Sequence, residues 1–183
     1  MKKDLIYLLI IGLIVLSGCS RVPPPIHPAD IADSNAWGEI FLYKPDKIPH
    51  NFQLTTDDTF YNISELKPGS LFNFTYVNET QANGGTYLTA QKNGTFKSSF
   101  DISYTSIQNS GSYSFVIVKN HDYSLHEECY ARQTANLNIY TVSMNCIMDL
   151  DYGDNVSIMI MNDLVARDIY IHTLNLNIIR IGD

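Results

Sequence analysis

Several things are scarce in this 183-residue chain, and each scarcity removes a class of protein. Basic residues are few: 12 Lys and Arg stand against 19 Asp and Glu, a formal charge of −7. No basic stripe of the kind that neutralises phosphates runs along any segment, so nucleic acid is not an expected partner. Windows rich in Ala, Glu, Lys and Leu are missing after the leader, while 12 Tyr and 8 Phe accompany abundant Thr, Ile and Val. That balance favours strands over helices. No repeat of fixed period occurs, which argues against a propeller or solenoid. Gly-x-Ser-x-Gly, His-Glu-x-x-His and Cys-x-x-Cys are all missing. No catalytic residue and no cofactor is therefore expected.

The first apolar run, residues 5–16, is about a dozen residues and falls short of the ~20 needed to span a bilayer. Preceded by Met1-Lys2-Lys3, it reads as an export signal. Directly after it stands Leu16-Ser17-Gly18-Cys19, which resembles the bacterial lipobox, where the Cys thiol takes a diacylglyceryl group and the chain is cut just before it. The resemblance implies a signal peptide over 1–18, lipidation at Cys19, and a mature chain held on a membrane by acyl chains such as palmitate. Localisation in the cell envelope follows. Ser20, where Asp would signal retention, favours the outer membrane in a Gram-negative cell. Residues 21–28 carry four prolines in eight positions and form a stiff spacer, so 19–36 is read as anchor and spacer.

Ordered structure is expected over 37–183, as one domain with one core. Strands are expected over 37–43, 51–54, 59–63, 70–77, 86–91, 95–106, 112–120, 123–132, 138–150, 155–161 and 168–181. Lys67-Pro68-Gly69 and residues 78–85 read as turns. Asn93-Gly94 is the strongest hairpin signal, and should join 87–91 to 95–106. In 138–150 the inward set is Tyr140, Val142, Met144, Cys146, Met148 and Leu150. On the final strand, strict alternation puts Ile169, Ile171, Thr173, Asn175 and Asn177 on one face and Tyr170, His172, Leu174, Leu176 and Ile178 on the other. Short, regularly spaced strands without interleaved helices mean a sandwich or barrel.

Phe100-Asp-Ile-Ser-Tyr104, Gly111-Ser-Tyr-Ser-Phe115, Leu150-x-x-Gly-Asp-x-Val-x-Ile158 and the closing apolar strand together resemble the tumour-necrosis-factor-like jelly roll, the family that includes the globular heads of complement. The resemblance covers about 86–182. It implies an all-β, two-sheet antiparallel jelly-roll sandwich of about ten strands, assembled as a homotrimer, that binds a protein or glycan partner and catalyses nothing. Family trimer interfaces are rich in aromatics. Tyr43, Tyr61, Phe74, Tyr76, Tyr113, Phe115, Tyr140 and Tyr170 are the candidates here, most of them expected in the core. The Pro-rich spacer replaces the collagen-like stalk, so complement-type signalling is not implied.

Cys129 and Cys146 remain once Cys19 carries lipid, in a compartment that permits disulfides. Both fall on inward faces. A tight turn near Ala135 leaves them about 13 Å apart along paired strands, and a loop of about eight residues aligns them, so the pairing stays open. Asp149, Asp151 and Asp154 are weak metal candidates: three carboxylates could hold Ca²⁺, but the spacing is not that of an EF-hand, and turn residues binding their own backbone are the favoured reading. His121 and Asp122 with His126, Glu127 and Glu128 read as a solvated loop. The sequons at Asn73, Asn78 and Asn93 read as exposed turns. Two other functions compete with a trimeric binding head: a monomeric structural envelope lipoprotein, and a glycan-active hydrolase using a carboxylate pair such as Asp101 and Asp149.

Overall fold

Alternation of apolar and polar residues decides the architecture. In a computed structural model, which describes residues 35–42, 48–79, 85–107, 111–122, 129–163 and 167–182, the chain forms twelve strands among the described residues. They are β1 (Trp37–Phe41), β2 (His50–Phe52), β3 (Tyr61–Asn62), β4 (Lys67–Phe72), β5 (Phe74–Asn78), β6 (Thr86–Ala90), β7 (Gly94–Ser106), β8 (Gly111–Lys119), β9 (Tyr130–Ala135), β10 (Ile139–Leu150), β11 (Asn155–Asn162) and β12 (Ile169–Gly182). The signal, Cys19 and most of the spacer lie outside the described residues, as do Tyr43 and residues 123–128 with His126, Glu127 and Glu128.

The strands make a two-sheet antiparallel jelly roll. The first sheet runs β10-β7-β12-β1-β4, with β2 also against β12; the second runs β5-β6-β11-β8-β9, with β3 against β11. The long final strand lies between β7 and β1 in the first sheet. Between the sheets Phe96, Phe100, Ile102 and Tyr104 of β7 and Leu174, Leu176 and Ile178 of β12 meet Phe115 and Ile117 of β8 and Ile158 and Ile160 of β11. Phe100 lies 6.1 Å and Tyr104 5.1 Å from Phe115 between ring centroids. Each such aliphatic or Phe side chain contributes about 1.5–3 kcal/mol by leaving water. Gly38 is needed where the sheets approach, because a Cβ there would lie 2.9 Å from Leu88 and 3.0 Å from Phe74.

Four expectations need correction. Asn93-Gly94 does not close a hairpin, for β6 and β7 lie in different sheets and the pair carries the chain across the sandwich. Gly94 has φ 147 and Asn93 is not left-handed, so the two-residue hairpin geometry, which needs positive φ at both positions, is not formed. Residues 70–77 are not one strand. Asn73, at φ 55, breaks them into β4 of the first sheet and β5 of the second, while Lys67, Pro68 and Gly69 belong to β4, an edge where Pro is tolerated. Residues 133–135 extend β9 past the strand end expected at 132. Finally, β12 does not alternate strictly: its register against β7 shifts between Ile171 and Thr173. This bulge puts Ile169 and Ile171 in the core together with Leu174, Leu176 and Ile178.

Candidate functional site: the open face of the first sheet

The outer sides of the two sheets differ. In the second sheet β8 is buried on both faces from Gly111 to Val118, and β11 almost throughout. Phe60 packs over Val116, Val118 and Met159 there. Further along the same side, the Asp163 carboxylate accepts from Ser112 Oγ (2.8 Å) and Ser114 Oγ (2.5 Å) and pairs with Arg132 Nε (2.8 Å). Ser114 Oγ is also 2.5 Å from the Tyr130 hydroxyl. At the β6 side, Asn62 Nδ2 lies 3.2 Å from His121 Nδ1, and the Tyr87 hydroxyl donates to Glu79 Oε1. Every one of these polar groups is committed to another.

The first sheet leaves its outer side open. Across its width the register aligns Phe41, Asn175, Asp101 and Ser143, and next to them Glu39, Asn177, Ser99 and Asn145. These side chains bond mainly to each other: Ser143 Oγ donates to Asp101 Oδ1 (2.5 Å), Ser99 Oγ to Asn145 Oδ1 (2.7 Å) and Asn175 Nδ2 to Glu39 Oε1 (3.3 Å). One row further toward the start of β1 the chemistry changes to Phe72, Trp37, Ile179, Lys97 and Ile147. All five are exposed, and Trp37 stacks on Phe72 with centroids 4.7 Å apart. At the opposite end Tyr170, Thr105 and Ile139 share a row.

The residues singled out in the sequence scatter across this frame. Of the aromatics, Phe74, Tyr113 and Phe115 are core, Tyr61, Tyr76 and Tyr140 pack partly buried against it, and Tyr170 is exposed. Trp37 and Phe72 went unrecognised as surface aromatics, although Trp37 stands two residues before Glu39 and opposite in phase to Ile40, a pattern that marks the outward side. Asp101 and Asp149 face Ser143 and Thr95 in the β7–β10 register, six residues apart, or roughly 20 Å at strand rise. A hydrolytic carboxylate pair needs about 5–9.5 Å, so these two do not form one.

Asp149 accepts from Thr95 Oγ1 (2.7 Å). Asp154 accepts from the Asp151 amide (2.8 Å) and Asn120 Nδ2 (2.7 Å) and pairs with Lys119 Nζ at 2.6 Å. Burial pushes the Asp154 carboxyl up, but the hydrogen bonds from Lys119, Asn120 and the backbone outweigh it and hold the group below the ordinary carboxylate range. Its lone pairs serve a turn and a lysine. Tyr104 is fully buried, its hydroxyl without a partner among the described residues, and burial raises it well above the ordinary phenol range.

Cys129 and Cys146 are joined in a disulfide, with Cα atoms 5.2 Å apart. The register argument across a hairpin does not apply, because β9 and β10 are edge strands of opposite sheets and never pair. The chain crosses between the sheets through residues 136–138, and the bond ties them a second time away from that crossing, from the start of β9 to a point well along β10.

No protein-family model matches the chain, and no curated protein matches it. Among solved structures the chain is similar to Eiger TNF from S. frugiperda, at 9% identity and a TM-score of 0.51, covering 81% of this chain and 94% of that one. It is similar to murine APRIL at pH 5.0, at 8% identity and a TM-score of 0.50, covering 80% and 99%. The globular domain of zebrafish complement 1qA aligns over 80% and 97% of the two chains, at 12% identity and a TM-score of 0.45. At these identities the likeness is one of fold.

Proposed function

We propose that the protein is a non-catalytic binding head, anchored to a membrane of the cell envelope through lipid on Cys19 and self-associating, as a trimer, through the middle of the outer side of its first sheet. The observation that carries this reading is the contrast between the sheets: one outer side is covered by the chain's own residues, and the other presents five strands to solvent. A broad, regular face beside exposed apolar rows is the kind of surface that meets a partner. Three copies is the stoichiometry implied by the resemblance to tumour-necrosis-factor-like heads. The Leu-Ser-Gly-Cys19 match supports the anchor, and Ser20 supports the outer membrane of a Gram-negative cell.

One observation favours the competing reading, a monomeric structural lipoprotein. Ser99, Asp101, Ser143 and Asn145 satisfy one another, so water can cover the middle of this face without loss. Mass measurement in solution on lipid-free residues 21–183 separates the two. A species at three times the monomer mass, reduced to one by Asn145→Arg in the middle of the face, supports the head; a monomer at micromolar concentration defeats it. Mass spectrometry of the membrane fraction tests the anchor: an acylated Cys19 at the amino terminus is expected, and an intact Met1 would refute it.

A further inference from the structure

Exposed large apolar side chains gather at both ends of the first sheet, with Leu137, Ile139 and Tyr170 where β10 and β12 begin and a larger group where they finish. Trp37, Phe72, Ile147, Tyr152, Ile179 and Ile181 are all exposed, and all lie at one end of the sandwich. The antiparallel order explains why: β1 and β7 begin at this end, and β4, β10 and β12 finish there. Phe72, Trp37, Ile179 and Ile147 share one row across the sheet, with Lys97 between the two isoleucines. Tyr152, 69% exposed, stands at the turn beyond β10, its amide donating to Asn93 Oδ1, while Arg180 Nε donates to Asn93 O. The turn residues thus continue the row around the end of the domain.

This is also the end at which the chain arrives from its amino-terminal segment. β1 starts at Trp37, and the sixteen steps from Cys19 to Asn35 reach no more than about 55 Å fully extended. We infer that this end of the sandwich docks on the lipid surface, with Trp37, Phe72, Ile147, Tyr152, Ile179 and Ile181 entering the headgroup and upper acyl region. The inference rests on lipidation of Cys19, the chain from which enters the domain at this end. Trp and Tyr flanked by aliphatics prefer the membrane–water interface, where an amphipathic ring keeps one edge wet. The diacylglyceryl group holds the chain on the membrane but leaves the head free to turn, so a second, weak attachment fixes its orientation. A copy of the protein could use the row wherever it lay on the surface, whereas its position beside the tether suits the bilayer.

Charge does not choose the lipid. Lys97 is exposed in the row and Arg180 lies behind it, but Asp149 and Asp151 are exposed at the same end and Asp154 is matched by Lys119. Docking is thus driven by apolar area, and uncharged phosphatidylcholine suffices.

Trp37 is the only tryptophan in the chain and reports on the contact directly. The unlipidated mature chain, residues 19–183 with Cys19→Ser, is titrated with phosphatidylcholine vesicles. Trp37 emission moves to shorter wavelength and is quenched by brominated acyl chains, and raising salt changes neither. Ile147→Asp with Ile179→Asp lowers vesicle affinity at least ten-fold at an unchanged melting temperature, while Thr75→Asp, on the second sheet, leaves it alone. Emission that stays constant up to millimolar lipid overturns docking. So does emission that is already blue-shifted without lipid and returns to long wavelength when the Asp pair dissociates an oligomer, an outcome that assigns the row to a second copy and leaves the proposed self-association standing. A monomer that binds vesicles upholds docking and removes self-association.

Discussion

β8 and β10 cross the same core from opposite sheets, and their sequences already differ in kind. In β10 the odd-numbered residues Thr141, Ser143, Asn145, Ile147 and Asp149 are exposed, and the even-numbered Val142, Met144, Cys146, Met148 and Leu150 are buried. In β8 both sets are buried, Tyr113, Phe115 and Ile117 toward the core and Ser112, Ser114, Val116 and Val118 on the outer side. A strand covered on two sides loses its polar alternation, and small hydroxyls survive only where a carboxylate receives them, as Asp163 does for Ser112 and Ser114. The lesson is that the outward residues of a strand, more than its apolar content, tell whether its sheet is open.

Substitutions that exchange the two environments break this comparison. The largest effect is expected for Val116→Asp, which puts an unpaired carboxylate under Phe60; a loss of about 4 kcal/mol or more, read by denaturant unfolding, follows from uncompensated burial. Next is Cys146→Ala. Opening the loop to Cys129 removes a cross-link between the sheets, at a cost of about 3 kcal/mol, and full stability under reducing conditions would show that the sheets need no tie. Asp163→Ala strands Ser112, Ser114 and Arg132 and should cost about 1–3 kcal/mol.

A smaller effect comes from Asp154. Its folded carboxyl titrates below the ordinary range, so its stabilisation is present above the unfolded-state value of about 4 and is lost as pH falls through the lower folded value. The difference in melting temperature between the native chain and Asp154→Asn should therefore shrink in acid, and a constant difference would remove Lys119 and Asn120 as the cause. Thr141→Val on the open side should change stability by less than about 0.5 kcal/mol. A larger destabilisation would mean that the first sheet is not open in solution.

Local pattern carried much of this protein. The all-β class and the inward set of β10 follow from side chains that alternate every residue, a rule needing no knowledge of neighbours. The candidate interaction surface was half legible: its polar part, Thr173, Asn175 and Asn177, shows in the last strand, whereas Trp37 and Phe72 show only once β1 and β4 are laid beside β12. Pairing was out of reach. Asn93-Gly94 signals a turn equally well whether the chain returns in the same sheet or crosses to the other, because the turn's own energy does not include the ladder that follows. The bulge at His172, the break at Asn73 and the meeting of Cys129 with Cys146 were decided in the same way, by hydrogen bonds and packing between residues far apart in the chain, which a short window of sequence does not contain.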